Sequence, residues 1–136
     1  MEWSPLTPEL LVSDYQKSLS FYVETLGFTV EYAREDPLFA YLSIEGAQLM
    51  IEERSDNEWW VTSELSHPYG RGVNFQITVN SIDPYANRLM DDGYQLFEEI
   101  REEWYQVDEV ERGNRQFLIQ DPDGYLLRFM EHIGTR

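Results

Sequence analysis

The spacing of apolar residues changes several times along this 136-residue chain, and each change predicts an element. Residues 7–12 form a short apolar run of strand character. Ser13 and Asp14 follow, both of a type that caps helix N-termini. Tyr15, Leu19, Tyr22 and Leu26 then recur at i, i+4, i+7 and i+11, one face of an amphipathic helix that Gly27 ends. Residues 28–33, 38–44 and 47–53 predict three strands. The breaks between them fall at 34–37 and at Glu45-Gly46. Residues 54–72 are polar and punctuated by Pro68, Gly70 and Gly72. A connection of that length in a small domain is usually functional.

The pattern then repeats. Val73, Phe75, Ile77 and Val79 alternate with polar residues, the mark of a strand with one buried face. Asn80 or Ser81 is a candidate cap for a second helix. Its apolar face is Ile82, Tyr85, Ala86, Leu89 and Met90, and Gly93 ends it. Three more strands are predicted: residues 94–100, then a segment within 104–107 together with 115–120, then 125–130. Each half therefore reads strand, helix and three strands. The fold class is α+β, two βαβββ repeats forming a cupped eight-stranded mixed sheet. The chain is one domain, with halves at 5–53 and 73–132 and a linker at 54–72.

Composition narrows the partners. Apolar residues make up 42% and aromatics 15%, enough for a packed interior. No apolar run approaches the roughly 20 residues that span a bilayer, and residues 1–7 have no basic or apolar leader, so a cytoplasmic protein is expected. The absence of cysteine excludes disulfides and thiolate chemistry. Twenty-six carboxylates face ten basic side chains, for a net charge of −16. Nucleic acid and anionic membrane would be repelled, while a cationic ligand would be attracted. Solubility alone also accounts for such a surface. The pairs Glu52-Glu53, Glu98-Glu99 and Glu102-Glu103 are not carboxylate dyads, because neighbours on a strand face opposite ways. His67 lies in the linker and His132 beyond the last predicted strand, where solvated or structural roles suffice.

The words of the chain carry a resemblance. Asp121-Pro122-Asp123-Gly124 is a turn set between the apolar runs of Arg115 to Gln120 and Tyr125 to Met130. With Val12-Ser13-Asp14-Tyr15, Ser20-Phe21-Tyr22 and Leu26-Gly27-Phe28, it resembles the vicinal-oxygen-chelate superfamily of glyoxalases, ring-cleaving dioxygenases and bleomycin-resistance proteins. The resemblance covers nearly the whole chain and implies the cupped fold above. In the metal enzymes of that group, four strands each supply a ligand. Those places fall here on Thr7, Met50, Asn74 and Arg128. These side chains make no site for Zn²⁺, Ni²⁺ or Fe²⁺, and Arg128 has no lone pair to donate. No metal, no cofactor and no catalytic residue is expected.

Within the group the chain looks most like bleomycin-resistance proteins, which are acidic homodimers that sequester a cationic, planar-tailed glycopeptide without chemistry. That implies a bleomycin-like cationic aromatic ligand and a second copy of the chain as partners. Phe39, and with it Tyr32, carries over as an aromatic contact. Tyr41 shares a strand face with Phe39. Trp59, Trp60, Trp104 and Tyr105 are loop or strand-end aromatics able to stack on a flat cation. Asn74 and Arg128 complete the candidate ligand-binding set. The rival readings are a metal-dependent lyase, isomerase or dioxygenase with a relocated site, and an acidic dimeric scaffold.

Overall fold

A computed structural model describes residues 1–55 and 61–136. It divides into two compact units, Met1–Tyr69 with Pro122–Gly124, and Gly70–Asp121 with Tyr125–Arg136. The eight strands form two mixed four-stranded sheets, one in each unit, as the α+β repeat requires.

The first unit contains β1 (Glu9–Val12), α1 (Tyr15–Leu19), a π-helical turn (Ser20–Thr25), β2 (Thr29–Glu35), β3 (Leu38–Ile44) and β4 (Ala47–Glu53). Its sheet runs β1-β4-β3-β2, with β1 parallel to β4 and the other pairs antiparallel. Leu10, Val12, Ala40, Leu42, Leu49 and Ile51 share one face by register and are buried, and α1 packs on β3 and β4. Asp14 caps α1 by accepting the Lys17 amide at 3.1 Å, as its residue type predicts. Tyr15, Tyr22 and Leu26 are buried as the spacing predicts, together with Ser18, Phe21 and Thr25, although residues 20–25 form a π turn that periodicity does not signal. Leu19, predicted on the buried face, is only half-buried. Glu45 and Gly46, at φ 45° and 90°, form the two-residue turn between β3 and β4. The Asp123 carboxylate, buried in this unit, accepts the Ser13 amide at 3.0 Å and the Ser13 hydroxyl. Gly124 at φ 96° would drive a Cβ to 2.5 Å from Pro68, so only glycine fits that turn.

The second unit contains β5 (Asn74–Thr78), α2 (Asp83–Asp91), β6 (Glu98–Val107), β7 (Val110–Gln120) and β8 (Leu126–Thr135). Its sheet runs β5-β8-β7-β6, again with one parallel pair, β5 with β8. Tyr85 of α2 stacks on Phe129, which stacks on Phe117, so α2 covers the face holding Ile77, Phe117, Ile119, Leu127 and Phe129.

Three expectations need correction here. Neither Asn80 nor Ser81 caps α2. The helix begins after Ile82, whose amide is 3.3 Å from Glu131 Oε1 of β8, so a tertiary carboxylate does the work of a local cap. Met90, assigned to the apolar face, is exposed. Residues 94–97 are not strand. The strand begins at Glu98 and continues unbroken to Val107, and a hairpin at Asp108, φ 54°, starts a separate β7. Glu and Arg at five of its ten residues hid β6, because an exposed edge strand needs little apolar alternation.

Arg115 of β7 bridges this start of α2, reaching Asp83 at 3.1 Å and Glu131 at 2.8 Å. Hydrogen bonds from Arg115 hold the Asp83 carboxyl below its ordinary range, and those to Asp83 raise the Arg115 guanidinium. A depressed carboxyl contributes stability above its unfolded pKa and loses it as pH falls through the folded value. Asp83→Asn should therefore lower the thermal midpoint at pH 7, and the deficit relative to wild type should shrink below about pH 4. Melting curves across pH check this. A deficit that stays constant down to pH 2 would assign the loss to packing instead.

Candidate functional site

Alternation leaves the second face of the first sheet to a different set of side chains. Register places Glu9, Met50, Tyr41 and Tyr32 in one row across β1, β4, β3 and β2, and Leu11, Glu52, Phe39 and Arg34 in the next. The aromatic rings meet. Tyr32 stacks on Tyr41 with centroids 5.3 Å apart and tilts against Phe39 at 5.7 Å. The Arg34 guanidinium lies 4.2 Å from the Phe39 centroid and 5.8 Å from that of Tyr32. Phe39 and Tyr41 are buried, at 1% and 5% exposure, while Tyr32 keeps 41%. The face thus has an aromatic floor, a resident cation, and acidic neighbours in Glu9 and Glu52.

The N-terminal segment adds a fourth ring. Trp3 meets Tyr41 edge-on at 4.9 Å and Tyr32 at 5.9 Å, and remains 58% exposed. Gln48 holds this segment in place. Its Oε1 accepts the Ser4 amide at 2.8 Å and the Tyr41 hydroxyl at 2.6 Å, and its Nε2 donates to the Glu2 carbonyl at 2.7 Å. The Thr7 hydroxyl is 3.2 Å from that of Tyr41. A cavity of about 340 Å³ opens beside Trp3, between Pro5 and Gln48. Sequence reasoning missed both Trp3 and Arg34. Arg34 reads as part of a break between strands, and the residues around Trp3 have no periodicity.

The candidates of the second unit separate into two groups. Asn74 and Arg128 lie on one face of the sheet, two residues apart in register, with Gln76 opposite Arg128. Tyr105 belongs to this same face, where Asn114 donates to its hydroxyl. Arg128 Nε is buried and has no hydrogen-bond partner among the described residues. Trp104 is on the opposite face, the one bearing Arg115. It lies over Gly113, where a Cβ would come within 2.6 Å of the indole. Its Nε1 donates to Glu102 at 2.9 Å, and Arg136 stacks on it at 4.2 Å. Trp104 and Tyr105 therefore cannot contact one ligand from a single face, a consequence of their adjacency on β6. Trp59 and Trp60 lie outside the described residues.

The places that the resemblance assigns to metal ligands hold Thr7, Met50, Asn74 and Arg128. Their chemistry does not fit a transition metal: a hydroxyl, a thioether, a neutral amide and a cation supply no strong charged donor. Among the described residues no three His, Cys, Asp or Glu side chains gather as a metal site would require. Nor is any helix among them long and apolar enough to cross a membrane.

Known proteins are similar to this chain. The family model described as the Glyoxalase/Bleomycin resistance protein/Dioxygenase superfamily matches residues 6–129. The bleomycin resistance protein of Geobacillus stearothermophilus is 28% identical, with 94% of this chain and 96% of that one covered. That of Staphylococcus aureus strain MRSA252 matches to the same extent. The crystal structure of TioX from Micromonospora sp. ML1 shares the fold, with a TM-score of 0.73 at 20% identity, over 96% of this chain and 100% of that one. A family match spanning both units, together with the paired βαβββ sheets, places the chain in the glyoxalase/bleomycin resistance protein/dioxygenase superfamily.

Proposed function

We propose that the protein binds a small molecule carrying a flat cation, of which bleomycin is one, and holds it without transforming it. The observation that carries this reading is the second face of the first sheet. Tyr32, Phe39 and Tyr41 form a continuous aromatic cluster that presents the Tyr32 ring to solvent, Trp3 borders it, and Glu9 and Glu52 share its rows. Ring faces attract cations, and neighbouring carboxylates strengthen that attraction. The 28% identity to proteins named for bleomycin resistance supports the same ligand class. The mismatch of Thr7, Met50, Asn74 and Arg128 with metal ligation supports binding over catalysis.

Bleomycin should quench tryptophan fluorescence and raise the unfolding temperature. Trp3→Phe should remove most of the quench while retaining most of the affinity, since Phe keeps the ring contact. Tyr32→Ala, at an exposed ring, should cost about 1 kcal/mol, within the cation–π range. Glu9→Gln should cost less, because exposed charges contribute little. Affinity should fall from 0.01 to 0.1 M salt, as the Debye length shortens from roughly 30 to 10 Å, but should not vanish. Unchanged fluorescence and no thermal protection at low salt would remove bleomycin as a ligand.

The same reading includes a C2 homodimer. Strands β1, β2, β5 and β6 are sheet edges, and a second copy is a common way to cover such edges. Light scattering at micromolar concentration should give twice the 16.2 kDa chain mass. A monomer would remove this part of the proposal. Metal analysis after purification without chelator should find no stoichiometric Zn, Ni or Fe. Arg128→Glu alone should not create tight binding, because three strong donors would still be missing. One bound equivalent in the native protein would favour an enzyme.

A further inference from the structure

We infer that Arg34 is a specificity-determining residue, an internal competitor that occupies the cation surface until a larger flat cation displaces it. The inference rests on the reading of the aromatic face given above. Arg34 is exposed, on edge strand β2, in a chain with 26 carboxylates against ten basic side chains. Such an arginine would ordinarily pair with a carboxylate, as Arg101, Arg115 and Arg136 do. Among the described residues no carboxylate lies within ion-pair distance of Arg34. Its guanidinium instead sits over Phe39 at 4.2 Å and near Tyr32 at 5.8 Å, both inside the range of cation–ring attraction. Phe39 is its direct cross-strand neighbour, so the backbone holds the pair together.

Two consequences follow from that position. A ligand that stacks on Phe39 must first move the guanidinium, and the fraction of molecules with Arg34 displaced scales its apparent affinity. A ligand cation also meets like charge at the same spot. Small cations gain nothing over a guanidinium that is already tethered. A fused-ring cation gains stacking area that guanidinium lacks, and it can win. Arg34 thereby selects for planar size as well as for charge.

The test uses the full chain as wild type, Arg34→Gln and Arg34→Lys, titrated at pH 8 with 1-methylquinolinium and with quinoline, its uncharged analogue of nearly the same shape. Freeing the stacked face should tighten the binding of both probes by about two- to five-fold in Arg34→Gln. The cation should gain more than quinoline, because only the cation is relieved of like charge. Arg34→Lys should fall between wild type and Arg34→Gln, since it keeps the charge and loses the planar fork. The unfolding temperature of each variant, without probe, checks that it is folded. Equal affinities across the three proteins, or weaker binding by Arg34→Gln, would overturn the role of Arg34 and leave the aromatic face as a binding surface. If no form bound either probe, the reading of the face itself would fall, and this inference with it.

Discussion

Burial of one sheet face beneath a helix commits every other side chain of that sheet to the opposite face. In the first unit Leu10, Val12, Leu42, Leu49 and Ile51 are all nearly inaccessible to solvent. Exposing five such side chains by a one-residue slip would cost on the order of 10 kcal/mol. That is comparable to the whole stability of a small domain. The register is therefore fixed, and with it the convergence of Tyr32, Phe39, Tyr41 and Arg34. The aromatic face is a by-product of the core: aromatic residues at the alternate positions have nowhere else to go.

Electrostatics act on this surface at two ranges. The net charge of −16 attracts cations from a distance and is screened by salt. The rings act only at contact and are little affected by salt. Arg34 shows how the two combine, since in so acidic a chain it stacks on rings and takes no carboxylate partner among the described residues. The second unit uses its cations in both ways, with Arg136 over the Trp104 ring and Arg88 over that of Tyr85. Arg115 ties the start of α2 to β8 through Asp83 and Glu131, a structural use of charge, while Arg128 stands on a polar face beside Gln76.

Much of the fold was legible from the residues because local signals agreed with tertiary demands. Asp14 caps the helix it precedes, Glu45-Gly46 turns the hairpin, and the order of strands and helices in both halves follows the periodicity. Features set by distant partners were not legible. The cap of α2 comes from Glu131, nearly fifty residues away, and the π turn after Leu19 left no mark in the periodicity. The site was half legible. Phe39 and Tyr41 share a face simply by alternation. The face of Trp104 depends on the β6–β7 hairpin, which acidic composition concealed. Trp3 joins the site because its neighbours Glu2 and Ser4 hydrogen-bond to Gln48, and nothing in the local sequence signals those bonds.

The central claim is that the ligand surface is the aromatic face of the first sheet. Mapping chemical-shift changes by NMR during a bleomycin titration tests it most directly. The largest changes should cluster at Trp3, Tyr32, Arg34, Phe39 and Tyr41, with the region around Trp104 little affected. Changes concentrated around Trp104, or around Asn74 and Arg128, with Tyr32 and Phe39 undisturbed, would contradict it.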